Sequence, residues 1–306
     1  MGKIAFVFSG QGAQYKGMGK SLYELGGLIK EIYDNAEILR PGTLKQSFDG
    51  TDDELKITAN TQPCLYLVDL CSALALNDMG IYADAVAGFS VGEIAALAYA
   101  GAYSYIDGFK IVTERGKIMN DAAKKIDTSM CAVMMLSANE VIRLTDGFEN
   151  IYPVNFNCPG QIVVSGLKSE IEIFEEKVKE AGGRSIMLAV NAAFHSPFMA
   201  DASKKFGVKL RGYNISSPEI PVYSNLTAIP YLENVSEMLE MQMCSPVRWQ
   251  ETIENMISDG YTDFIEAGAG KTLTNFIKKI SREVNVYNVQ DRESLERTAE
   301  SINGNV

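Results

Sequence analysis

The sequence predicts an α/β protein: a mainly parallel sheet covered by helices on both faces, with a small βαββαβ module inserted. Three observations carry this. Short apolar runs end abruptly in glycine or small polar residues, as "KIAFVF" does before "SGQG", which is the mark of buried strands bounded by turns. Helical stretches separate these runs, the order that puts helices on both faces of a parallel sheet. In the middle of the chain, strands and helices follow one another in a different order.

Taken along the chain, "KIAFVF" (3–8) is the first predicted strand and "DAVAG" (84–88) the next. "EIAALAYAG" has helical composition with a stop at Gly101. The charged "DAAKKIDT" (121–128) reads as a linker. Then come "MCAVMML", "SANEVIRLTDG", "IYPVNFN", "QIVVSG", "KSEIEIFEEKVKEAGG" and "RSIMLAV". Their order is β-α-β-β-α-β, the ferredoxin-like module. "IPVYS" (220–224) and "TDFIEAG" (262–268) return to short strands ending in turns. The division expected is a large domain over 1–127 and 193–306, interrupted by a small one over 128–192.

Composition narrows the function. The chain has 306 residues, 46% hydrophobic and 22% charged, enough for one large domain with an insert. A net charge of −11 lacks the basic footprint that nucleic acid or an anionic membrane requires. Cys64, Cys71, Cys131, Cys158 and Cys244 are scattered, odd in number and free of any CxxC, which fits a reducing compartment. One histidine and no paired cysteines leave no zinc-site pattern. "IAFVF" is too short for a signal peptide, and no run reaches membrane-spanning length. A soluble, cytoplasmic monomer without metal or cofactor is expected.

Two glycine-rich turns invite nucleotide readings. In "SGQGAQYKG" (9–17), Gly10 and Gly12 fit G-x-G-x-x-G, but Tyr15 takes the third glycine position. In "IEAGAGKT" (265–272), Gly270, Lys271 and Thr272 match the end of a phosphate-binding loop, but Ile265 stands where its first glycine belongs. Both read better as plain strand-to-helix turns.

"GFSVGE" (88–93) is different. Gly88-Phe89-Ser90-Val91-Gly92 fits G-x-S-x-G between a predicted strand and a predicted helix, the context of a nucleophile elbow. Ser90 would stand at the end of the sheet. The Val91 amide would face a developing oxyanion at a helix start, where the dipole favours negative charge. A serine needs a base, and the chain contains one histidine, His195, in "AFHSPFM". A lone histidine is more often packed or solvated than catalytic. An upstream elbow reverses that balance, and the order Ser…His suits elbow enzymes. An arginine such as Arg115, in a helical stretch, is by itself usually a solvated charge.

The ordered set "FVFSGQGAQ", "TQP", "GFSVGE", Arg115-Gly116, "NFNCPGQIVVSG", "AFHSPFM", "SPVRW" and "GAGKTL" resembles the malonyl-CoA:acyl carrier protein transacylases and the acyltransferase domains of fatty-acid and polyketide synthases. It runs from residue 6 to 273, nearly the whole chain. The resemblance implies an α/β-hydrolase-like large domain and transfer of malonyl from coenzyme A to the phosphopantetheine thiol of a carrier protein. It implies Ser90 as the acylated nucleophile and His195 as acid and base, with the Gln242 carbonyl orienting the histidine. The backbone amides of Gln11 and Val91 would form the oxyanion hole. Arg115 would hold the malonyl carboxylate, and Gln62 and Phe194 would line the site, Phe194 crowding out a methyl branch. Phe89 departs from the family, which usually has histidine there; an apolar ring at that place is expected to slow hydrolysis of the acyl-enzyme. Two other readings use the same residues. A serine hydrolase would share the elbow but would normally add an acidic triad member and would have little use for Arg115. A carrier-docking module without catalysis would not need Ser90, His195 and Arg115 together.

Overall fold

A computed structural model of the chain describes residues 2–190 and 192–304. Five strands form a parallel sheet in the order β7-β2-β1-β8-β9: β1 (Lys3–Phe8), β2 (Ala85–Gly88), β7 (Val222–Tyr223), β8 (Tyr261–Ala267) and β9 (Asn285–Val289). Side chains alternate across a strand, and β1 uses both faces. Ile4, Phe6 and Phe8 enter one apolar core, and Ala5 and Val7 enter another on the opposite side. The run "KIAFVF" is apolar throughout because neither face meets water.

The larger core is closed by the helix Thr58–Asp78, which is buried from Thr61 to Leu76 without a break. A helix that is apolar on all sides belongs inside the molecule. Its Cys64 and Cys71 are among five free cysteines, and no disulfide forms among the described residues.

The second sheet holds β3 (Thr128–Met134), β4 (Ile151–Cys158), β5 (Gln161–Leu167) and β6 (Arg184–Met187), antiparallel in the order β4-β5-β3-β6. The helices Ala138–Thr145 and Lys168–Glu180 pack on it around a separate small core that includes Val133, Ile162 and Phe174. This is the expected βαββαβ insert beside a larger parallel α/β unit. Three details differ from expectation. The segment 121–128 is not all linker, since the helix Tyr105–Ala123 runs into it and Thr128 opens β3. β6 ends at Met187, short of the full run to Val190. The edge strand β9, in "VNVYNV", has too little apolar alternation to stand out and is held by pairing with β8.

The topology places the site. Phe8 and Gly88 are register partners at the carboxyl ends of adjacent parallel strands, the edge where open α/β sheets bind ligands. Three residues beyond each lie Gln11 and Val91, so one pairing event sets both turns side by side.

Candidate active site

The elbow follows from close packing at its two glycines. A Cβ on Gly88 would lie 2.0 Å from the Gly92 carbonyl carbon, and one on Gly92 would lie 2.4 Å from the Phe8 carbonyl oxygen. Only glycine lets the strand and the helix Gly92–Tyr99 approach so closely. Between them Ser90 takes a left-handed backbone with φ 53°, a strained conformation of the kind that collects at functional sites. The strain is held by Asn225, whose Oδ1 accepts from the Ser90 amide at 2.7 Å while its Nδ2 donates to the Gly88 carbonyl at 2.6 Å.

The Ser90 hydroxyl lies 2.7 Å from His195 Nε2, and His195 Nδ1 lies 3.0 Å from the Gln242 backbone carbonyl. A carbonyl can only accept, so the Nδ1 proton points to it and Nε2 is left to accept from Ser90. Burial, with the Arg115 charge adding to it, pushes His195 down from 6.5 to about 4. The imidazole is therefore neutral at pH 7 and able to take a proton. Between pH 6.5 and 4 the unfolded chain binds a proton at this histidine that the folded chain does not. Stability falls as pH falls through that window, by about 3 kcal/mol in all. Urea unfolding of wild type and His195→Gln at pH 7 and pH 4.5 should show the wild type losing more; equal losses would refute the assignment.

Arg115, on the helix Tyr105–Ala123, is fully buried. Its Nη1 donates to Gln62 Oε1 at 2.9 Å, and its Nη2 donates to Gln242 Oε1 at 2.8 Å and to Ser90 Oγ at 3.3 Å. None of these partners is charged, and its Nε has no partner among the described residues. Burial lowers its pKa to about 10, which still leaves it cationic at neutral pH. A buried cation satisfied only by neutral oxygens is a receptor for an anion.

The cavity above these groups is lined by Gln11, Gln62, Phe89, Val91 and Phe194 from the larger unit, and by Met130 and Asn155 of the insert, with Leu188 and Val190 of the segment returning from it. The backbone amides of Gln11 and Val91 donate to no acceptor among the described residues. Phe89 packs edge-on against Trp249, centroids 5.5 Å apart, so its ring extends an aromatic core to the cavity wall.

Ser90, His195, Gln11, Val91, Arg115, Gln62, Phe194 and Gln242, the site residues expected from the sequence, converge here. Unanticipated were Asn225, Asn155 with its unpartnered Oδ1, Met119, and the role of Glu93 behind the site. Glu93 did leave a signal, as the one charge in the buried "EIAALAYA".

The nucleotide-like turns are otherwise occupied. The Leu273 and Thr274 amides at the start of the helix Thr272–Ile280 donate to the Glu266 carboxylate at 3.0 and 2.7 Å, where a phosphate would sit. In the first turn, the Gly12 amide donates to Gln14 Oε1 at 2.7 Å. Among the described residues no cluster of three or more metal-ligating side chains occurs, and no helix is long and apolar enough to cross a membrane.

Comparison with known proteins finds relatives along nearly the whole chain. Residues 5–299 match the acyl transferase domain family. A malonyl CoA-acyl carrier protein transacylase of Bacillus subtilis (strain 168) is 37% identical, over 99% of this chain and 98% of its own. The crystal structure of a malonyl CoA-acyl carrier protein transacylase from Clostridium perfringens superposes with a TM-score of 0.95 at 35% identity, covering 99% of this chain and 98% of that one. A malonyl-transacylase solved with its type II polyketide acyl-carrier protein superposes with a TM-score of 0.91 at 30% identity, covering 98% of this chain and 99% of that one. With the full-length match and the serine, histidine and arginine gathered at one strand edge, the chain belongs to the acyltransferase family, in its malonyl-CoA:acyl carrier protein transacylase branch.

Proposed function

We propose that this enzyme transfers a malonyl group from malonyl-CoA to the phosphopantetheine thiol of an acyl carrier protein through a malonyl ester on Ser90. His195 Nε2 takes the Ser90 proton as Oγ attacks the thioester carbonyl. The amides of Gln11 and Val91 receive the oxyanion. Collapse expels the coenzyme A thiolate, which takes the proton from Nε2. The carrier thiol then gives its proton to His195 and attacks the ester, reversing the sequence. The first half-reaction exchanges a thioester for an ester and the second an ester for a thioester, so the net transfer from one thiol to another needs no outside energy source or cofactor.

The observation that carries this reading is the 3.3 Å contact between Arg115 Nη2 and Ser90 Oγ. It puts the cation beside the acylation point, within reach of a carboxylate one methylene beyond the ester carbonyl. A planar guanidinium suits that carboxylate in a bidentate pair. Phe194, on the cavity wall beside His195, would oppose a branched acyl group. Gln62 holds one edge of the guanidinium, and the Gln242 carbonyl holds the histidine.

The test is intact mass after brief mixing with malonyl-CoA or acetyl-CoA, for wild type and Ser90→Ala, before and after adding carrier protein. A malonyl adduct is expected on wild type alone, with little from acetyl-CoA and loss to the carrier. An adduct that decays equally fast in buffer would instead make the enzyme a hydrolase.

A further inference from the structure

Behind the catalytic pair, the Glu93 carboxylate is fully buried and ties its own helix to Asn225 and Tyr231 on one loop and to Gln242 at the end of another helix. It accepts from the Asn225 amide at 3.2 Å, from the Tyr231 hydroxyl, and from Gln242 Nε2 at 2.7 Å. Asn225 clamps the Ser90 elbow. Gln242 gives its backbone carbonyl to His195 and its side-chain oxygen to Arg115, while its Nε2 also donates to the Ser90 carbonyl at 2.8 Å. An ionised carboxylate can only accept, so it forces the Gln242 amide to face it with nitrogen and to face Arg115 with oxygen. The result is an ion pair relayed through one amide, Arg115–Gln242–Glu93.

We propose that Glu93 is a positioning residue for the malonyl transfer proposed above: it locks Asn225 and Gln242 in place and balances the Arg115 charge until the malonyl carboxylate takes over that task, when Glu93 accepts a proton from solvent. Once two carboxylates share one buried guanidinium, one negative charge is in excess, and the inner carboxylate is the one not in contact with the cation. The ionisable groups facing Glu93 are Tyr231, Tyr103 and Arg115. Both tyrosines are buried and held neutral, so Arg115 is the one charge among them whose balance the substrate alters. Burial already raises Glu93 to about 7, against which its hydrogen bonds and Arg115 act. A modest further rise on malonylation therefore moves its proton occupancy at neutral pH.

The experiment mixes wild type and Glu93→Gln with malonyl-CoA in weakly buffered indicator at pH 7, reading proton uptake and adduct mass on the same sample. Wild type should take up roughly half a proton per malonyl adduct, and Glu93→Gln almost none. Glu93→Gln should also lower kcat about 10- to 100-fold, as loss of a hydrogen bond to a charged group does, without raising KM for malonyl-CoA. Equal proton uptake in the two proteins, or a raised KM at unchanged kcat, would overturn the proposal while leaving malonyl transfer intact. Absence of any wild-type adduct would overturn both. If Glu93→Gln does not fold, infrared difference spectra of wild type with isotope-labelled glutamate decide instead. A new glutamic-acid band on malonylation supports the proposal, and its absence refutes it.

Discussion

Replacing Arg115 with alanine is expected to lower malonyl transfer by roughly 10²- to 10⁴-fold, while transfer from acetyl-CoA falls far less or rises. Breaking a buried ion pair by removing one partner costs about 3–5 kcal/mol, and that range sets the estimate. The loss arises because the malonyl carboxylate would enter a cavity whose remaining polar walls are amides and hydroxyls. Acetyl-CoA has no such group to leave unpaired, and in the wild type it leaves Arg115 without an anion. Arg115→Lys separates charge from geometry. It keeps the cation but not the planar fork that reaches Gln62 and Gln242 together, so it should fall between wild type and Arg115→Ala. Steady-state rates with both donors, beside thermal unfolding to confirm folding, give the measurement. An unchanged malonyl-to-acetyl ratio in Arg115→Ala would remove this residue from substrate choice.

His195→Ala should slow formation of the malonyl adduct by about 10²- to 10⁴-fold, the range for loss of a positioned general base. Stopped mixing followed by intact mass reads it directly. The pH profile offers a sharper check. Burial and Arg115 hold this imidazole near 4, so its neutral form persists from pH 7 down to about 5, and acylation of Glu93→Gln, which lacks the Glu93 titration near 7, should change little over that interval. A malonyl carboxylate paired with Arg115 cancels part of the positive field that lowers the histidine, so bound substrate should strengthen the base. Acetyl-CoA cannot do this. If the acylation rate of that variant instead fell with a midpoint near 6.5 for both donors, the histidine would be an ordinary solvated one and the geometry of the site misread.

What sequence alone decided lies in short stretches. The strand "KIAFVF", the elbow "GFSVGE" and the βαββαβ order of the insert depend on neighbours a few residues apart, and the physics that sets them, strand burial and glycine packing, is local. His195 was legible for another reason: an elbow serine needs a base, and the chain contains a single histidine. Arg115 was not legible from its surroundings, since a helical arginine is ordinarily solvated; only its place in the ordered family motifs marked it. Its complete burial and its grip on Gln62 and Gln242 arise from packing of the helices Thr58–Asp78 and Tyr105–Ala123 against each other, with Gln242 at the end of the helix Val235–Gln242 reaching the guanidinium. The network of Glu93, Asn225 and Gln242 belongs wholly to tertiary structure. Its bonds join residues 132 and 149 positions apart, and no periodicity or motif encodes which buried acceptor will meet which donor at that range. Local sequence could place a serine on a turn, but only the folded chain could surround it with a neutral base, a buried cation and a carboxylate behind them, because burial is what gives those charges their strength.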